Sequence, residues 1–367
     1  MTRRTIIILS AAGAVVVVLA GAYLWLTRTL PVITVATWPG AYSQAQANAL
    51  FRPYDEAKDY DVHIALYDGG LRELQQMVGN HRYDWDVMDF ELPDAIAACR
   101  LGLLEHIDAG TLPAGADGSP AAKDFVKNAV GPCWAGSVVY SQIIAYAPNL
   151  YGAAHPQTAA DFFDLKRFPG KRALRRGAKY NLEFALLADG MAPADVYDAL
   201  LTPVGLDRAF AKLATLKGSL VWWDNSADAI AMLNDGRAAF ATILDGDAYD
   251  AAQHHHGVNV LWDRQLYELD VFGVPKGDPR VDAAMDFIRF ATTAPRLAGV
   301  ASWVPYGPAR RSALPLVGKN PELGIVMTPY LPTVPAHFAT AFAIDDAWWQ
   351  LHGADIEPRW DVWLAAQ

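Results

Sequence analysis

Apolar and polar positions repeat in two rounds of alternating strand and helix patterns. Residues Val32 to Trp38 form a β-branched run closed by Pro39-Gly40, which predicts a strand. A helix is expected over 43–57, and Val62, Ile64 and Leu66 alternate as a half-buried strand. A helix over 71–78, a strand over 86–90 and a helix over 93–101 complete a β-α-β-α-β series, the pattern of a mostly parallel sheet with helical crossovers. Residues 109–122 are rich in Gly, Pro and Ala and read as a surface loop. After a long apolar strand over 138–146 the pattern restarts. It gives a strand over 171–175, helices over 182–188, 193–200 and 205–217, a strand over 219–223, a helix over 227–233, a strand over 238–244 and a helix over 247–255. Strands over 258–262 and 266–274 and a helix over 281–292 follow, and 314–367 reads as helical pieces broken by Pro and Gly.

No Pro/Ser-rich linker separates the two α/β blocks. Strand connections near 140–146 and 263–270 suggest that one block interrupts the other, giving two lobes joined by two hinge strands. The expected division is 31–143 and 265–313 for the first lobe, 144–264 for the second, and 314–367 as C-terminal segments packed on both. A cleft between lobes is the default ligand site, and in α/β sheets it lies off the carboxyl ends of the strands. Trp38, Tyr42, Glu91, Asp245, Asp247 and Asp270 fall at such positions.

The first 30 residues set the compartment. Residues 5–27 are uncharged and largely apolar, with Arg3 and Arg4 before them and Arg28 after. As a helix they would span about 34 Å, enough for a hydrocarbon core of about 30 Å. The positive N-terminal flank predicts that everything after the run lies outside the cytoplasm. Ala20-Gly21-Ala22 suits cleavage of a signal peptide, whereas Tyr23 to Leu26 keep the run apolar past that point, as in an uncleaved anchor. Both readings stand, so a periplasmic location is expected, with or without a tether to the inner membrane. No second run of this length occurs, which excludes a polytopic transporter.

Composition narrows the chemistry. The chain of 367 residues has 53% apolar residues, enough for more than one core. Lys+Arg number 30 against 40 Asp+Glu, a formal charge of −10, which argues against nucleic acid as a partner. Two cysteines rule out a four-thiolate zinc or iron–sulfur centre. Outside the cytoplasm Cys99 and Cys133 either pair or remain two buried thiols. No nucleotide-binding, hydrolase-elbow or metalloprotease motif is present, so no catalytic residue, cofactor or metal is expected. His254-His255-His256 reads as a polar helix end, because adjacent helical residues point about 100° apart. A ligand cation would favour aromatic faces and carboxylates. Tyr267 and Glu183 join the candidates on that ground, although Glu183 also suits a helix N-terminus and Asp245 and Asp247 suit an N-cap.

Five stretches carry a resemblance: Thr37 to Tyr42, Ala160 to Arg175, Asn181 to Gly190, Gln265 to Asp270, and Val304 to Pro308. Together they resemble extracytoplasmic solute-binding proteins of ABC importers, of the spermidine/putrescine type. The resemblance implies a type II periplasmic-binding fold, hinge closure on a small amine-containing solute, delivery to a membrane permease, and no enzymatic activity; a monomer is expected. It also implies that Trp38 lines the amine site and that Asp270 is one of the acids that hold the amine. Where polyamine binders of this family carry acids in the second lobe, this chain has Arg175, Arg176 and Tyr180. A fixed guanidinium beside a dication is unfavourable, which admits a zwitterionic or anionic ligand. The alternatives are a receptor that feeds a sensor and a membrane-tethered hydrolase with an unrecognised carboxylate pair.

Overall fold

The computed structural model describes residues 30–147, 150–151, 154–253 and 257–366. The leader run 5–27 and His254 to His256 lie outside the described residues. Among the described residues no helix is long and apolar enough to cross a membrane.

Eight main strands form one sheet. They are β1 (Val32–Thr37), β2 (Asp61–Leu66), β3 (Val87–Glu91), β4 (Ala135–Tyr146), β5 (Arg172–Arg175), β6 (Leu220–Trp223), β7 (Phe240–Leu244) and β8 (Asn259–Gly273). Their order is β2-β1-β3-β8-β4-β7-β5-β6. Pairs β1/β2 and β1/β3 are parallel, as are β5/β6 and β5/β7. Each lobe thus repeats one plan, a first strand flanked by the second and third. Helical crossovers impose this, because a parallel partner can be reached only by crossing one face of the sheet.

The two halves meet at β4 and β8, which pair antiparallel along nearly their whole length. In β4 every residue except the half-buried Tyr140 is buried, as its central place demands. The strands expected at 258–262 and 266–274 are one strand, offset in the middle. Gln142 pairs with Leu266 and Ile144 with Leu261, so residues 262–265 stand opposite Ile143 alone. Arg264 takes a left-handed φ of 58° within this bulge. The C-terminal segment braces it: Gln265 Nε2 donates to the carbonyls of Pro332 (2.9 Å) and His337 (2.8 Å), and Trp262 stacks on His337 at 4.3 Å.

One core fills the first lobe, with Ile33, Leu50, Phe51, Tyr54, Phe90, Phe272 and Phe287. Another fills the second, around Phe162, Phe168, Leu182, Phe184 and Phe240. Segment 314–367 is less helical than its pattern suggests. Short 3-10 turns precede a single long helix, Asp346–Ala365, which seals the second core with Trp348, Trp349, Ile356 and Trp360. A helix over Ala294–Trp303 has no counterpart in the sequence reading; Pro295 looks like a breaker but sits in the first turn, where its missing N–H costs nothing.

Two buried arginines hold loops in place. Arg172 donates to the carbonyls of Phe162, Gly170 and Phe168, each at 2.6 Å, which ties loop 162–170 to β5. Arg310 meets Asp124 at 3.0 Å.

Cys99 and Cys133 are joined, with Cα atoms 5.8 Å apart and a sequence separation of 34. The bond fastens the helix Leu92–Arg100 to the turn that launches β4. Replacing both cysteines with alanine should lower the unfolding free energy by about 3–4 kcal/mol, the loop-closure entropy of a 34-residue ring. Urea denaturation of the oxidised protein and the variant measures this; equal midpoints would contradict a structural role for the bond.

Candidate functional site

The carboxyl end of β1 leads directly into an aromatic corner. Trp38 packs on Tyr67 at 5.2 Å between centroids. Gly69 permits this approach: a Cβ there would lie 2.7 Å from the Trp38 ring, and its φ of +83° is left-handed. Tyr42, nearly buried, sits edge-on to Tyr306 at 5.6 Å and shares a hydrogen bond of 2.9 Å with Ser137. Tyr67 donates to the Asp89 carbonyl at 2.6 Å.

Acids line the sheet beside this corner. In the antiparallel pair β3/β8, Glu91 stands opposite Asp270 and Asp89 opposite Phe272. Because side chains alternate with period two, Asp89, Glu91, Glu268 and Asp270 share one face, joined by Tyr140, the β4 partner of Glu268. Asp245 follows β7. One of its oxygens accepts the backbone N–H groups of Ser141 (3.2 Å) and Gly246 (3.0 Å), and Tyr306 packs over Gly246.

Burial and mutual repulsion push these carboxyls upward. Desolvation raises Asp89 to about 7, opposed by hydrogen bonds from Tyr42 and Gln46. Asp270 lies well above the ordinary range, first through burial and then through Asp89, Glu91 and Glu268. Burial likewise raises Asp245, Asp247 and Glu91. Several polar atoms here are buried without a partner: Trp38 Nε1, one oxygen each of Asp89, Asp245 and Asp247, the Ser141 hydroxyl, and both amide atoms of Gln142. Such groups are normally satisfied; Ser141, the β4 partner of Tyr267, faces the other side of the sheet, and the orphaned carboxylate oxygens and Trp38 Nε1 mark a place for a polar guest.

Cations approach from the second lobe. Arg175, at the end of β5, is exposed, with its guanidinium 5.7 Å over the Tyr180 ring, and it acts electrostatically on Glu91. Lys179 pairs with Glu268 at 2.5 Å and Asp346 at 2.8 Å, and Tyr180 donates to Glu268. Arg176 turns away to Asp224 at 3.0 Å on the surface.

Two expected site residues stand elsewhere. Glu183 is fully buried inside the second lobe, where it accepts from Trp349 (2.5 Å) and Tyr197 (3.2 Å); its helix Asn181–Ala188 is buried on every side, so no cleft-facing position was open to it. Tyr267 has the opposite parity to Asp270 and projects from the other face of β8. There it packs on Phe338 at 4.8 Å and lines an open crevice of about 910 Å³ with Trp134, Tyr197 and the disulfide-bonded Cys99. The repelling carboxyls of β3 and β8 lie across the sheet from this crevice, and they define the candidate site. Trp38, Tyr42, Glu91, Asp245 and Asp270 are brought together there, with Asp247 beside Asp245. Asp89, Tyr140, Glu268, Tyr306 and Lys179 were missed. Strand parity signals Asp89 and Glu268, each two residues from a chosen acid; nothing local signals Lys179.

Residues 49–324 match the family described as bacterial extracellular solute-binding protein. The chain belongs to this family. A gamma-aminobutyric acid-binding protein of Pseudomonas aeruginosa is 34% identical over 333 residues, 91% of each chain. The solved structure of a GABA receptor is 29% identical, covers 90% of this chain and 97% of its own, and superposes with a TM-score of 0.71. A spermidine/putrescine-binding protein of Streptococcus pneumoniae shares the fold at a TM-score of 0.69 and only 14% identity. This solute-binding protein is therefore the receptor component of an ABC importer with a type II periplasmic-binding fold; it captures a small solute for a permease and is not an enzyme. The family is extracytoplasmic. The spermidine/putrescine assignment is not supported, because the 34% identical relative is named for GABA, and the hydrolase alternative falls with the family.

The raised acid near 7 has a sign that can be tested. In the folded protein Asp89 holds a proton that the unfolded chain releases near 3.8, so its contribution to stability is present at low pH and lost as pH climbs through about 7. Asp89→Asn should therefore melt close to wild type at pH 4.5 and gain on it by pH 8. Calorimetry at both pH values checks this; a constant difference would contradict the assignment.

Proposed function

We propose that this receptor captures a short ω-amino carboxylate of the GABA class, held in extended form between the lobes. The observation that carries the reading is the polarity of the site. Carboxyls of Asp89, Asp245 and Asp247, each with one oxygen lacking a partner, lie with Asp270 at one end, and an exposed guanidinium, Arg175, lies at the other. An ammonium placed among the acids supplies the counter-charge they lack, through charge-assisted hydrogen bonds of about 1.5–3 kcal/mol each. Trp38, Tyr42 and Tyr306 offer it aromatic faces, worth about 0.5–2 kcal/mol each. The ligand carboxylate meets Arg175, where a second ammonium would be repelled. The GABA named for two relatives has these two charges.

Closure follows from where the groups reside. Trp38, Tyr42 and Asp270 belong to the first lobe, and Arg175 and Asp245 to the second. A ligand that bridges them stabilises the closed arrangement, and among the described residues β4 and β8 are the strands that run between the lobes.

The test is a thermal-shift and calorimetric screen of 4-aminobutanoate, 3-aminopropanoate, glutamate and 1,4-diaminobutane. A ligand at 100 times its Kd should add about 2.7 kcal/mol to stability. Arg175→Ala should weaken 4-aminobutanoate at least about tenfold, a loss of about 1.4 kcal/mol or more. Trp38→Ala should abolish the shift and leave the unliganded melting point nearly unchanged. Undiminished binding by both variants would overturn the site assignment.

A further inference from the structure

Glu268 belongs to the acidic face, directly opposite Tyr140 and two residues from Asp270, yet it is already engaged. The Lys179 ammonium lies 2.5 Å from one of its oxygens, and Tyr180 O–H donates to the other. Lys179 also reaches Asp346, at 2.8 Å, in the first turn of the C-terminal helix. The Glu268 and Asp346 side chains are 4% and 0% exposed, whereas that of Lys179 is 27% exposed, so the ammonium comes in from the open side. It arrives on an unbranched four-carbon stem, which is the chemistry of one end of an alkyl diamine. Arg175 stands beside the same Tyr180 ring, 5.7 Å from its centre, as Lys179 does at 5.0 Å. The far end of the site therefore holds two cations, Arg175 and Lys179, and two carboxylates, Glu268 and Asp346, that Lys179 already engages.

We propose that Lys179 is a specificity-determining residue: its ammonium occupies Glu268 as an intramolecular stand-in for the second ammonium of a diamine, leaves Arg175 free for a ligand carboxylate, and so excludes dications. This rests on the ω-amino carboxylate reading above. Without Lys179, Glu268 and Asp346 are two desolvated carboxylates without a counter-charge, a costly state that an incoming ammonium relieves. The amino acid and the diamine already share one ammonium end, so the occupant of Glu268 decides between them.

Calorimetry of wild type, Lys179→Met and Lys179→Arg with 4-aminobutanoate and 1,4-diaminobutane tests this. Lys179→Met should move the affinity ratio toward the diamine by at least about tenfold, equivalent to about 1.4 kcal/mol, and Lys179→Arg should keep the wild-type ratio. A purely structural role would weaken both compounds alike and leave the ratio unchanged. Circular dichroism reports folding; should Lys179→Met not fold, Lys179→Met with Asp346→Asn removes one carboxylate together with the ammonium and should show the same change. An unchanged ratio in a folded variant, with wild type still binding 4-aminobutanoate, overturns the role of Lys179 and spares the reading. A wild type that binds neither compound overturns the reading, while diamine binding gained by the variant would still support Lys179.

Discussion

A carboxylate taken out of water needs a counter-charge, a proton or several donors, and this receptor gathers more carboxylates on one surface than it can satisfy. Asp89 has Gln46 and Tyr42, Asp245 has two backbone N–H groups, and Glu268 has Lys179 and Tyr180. Asp270 is pushed upward by burial and by Asp89, Glu91 and Glu268. The arrangement is stable with protons bound, and under the proposed reading the ammonium of the solute completes it. In that reading recognition is coupled to electrostatics: the groups costing most in the empty state gain most from an ammonium.

The scaffold makes the arrangement possible by running two strands through both lobes. β4 and β8 place Tyr140, Glu268 and Asp270 at the junction, and each lobe adds the carboxyl ends of its own strands, with Trp38 and Glu91 from one and Arg175 and Asp245 from the other. The bulge at 262–265, and a smaller irregularity between Gly136 and Val138, interrupt the ladder between these strands.

Much of the framework was legible because strand and helix periodicity is local. The two βα rounds and the two long strands that pair between them follow from apolar spacing in segments such as 32–38 and 138–146. The extent of β8 was not: residues 262–265 look like a break between two strands, and only pairing with β4 shows that the chain resumes in the same sheet. The helix Ala294–Trp303 was hidden by a proline whose first-turn position a pattern does not reveal.

At the site, residue type and place along a strand were enough to single out Trp38, Tyr42, Glu91, Asp245 and Asp270, and the presence of arginine at 175 already argued against a simple dication receptor. Parity separates Tyr267 from Asp270, since neighbouring β positions face opposite ways whatever their chemistry. What the chain alone determined is therefore the α/β architecture, the compartment and the kind of groups at the strand ends, because each depends on neighbours close in sequence. Which acids stand together, which lysine answers one of them, and that Glu183 belongs to a core beside Trp349, 166 residues away, were decided by tertiary packing. Burial and charge act through space, and no local pattern records the distance between residues that only the fold makes neighbours.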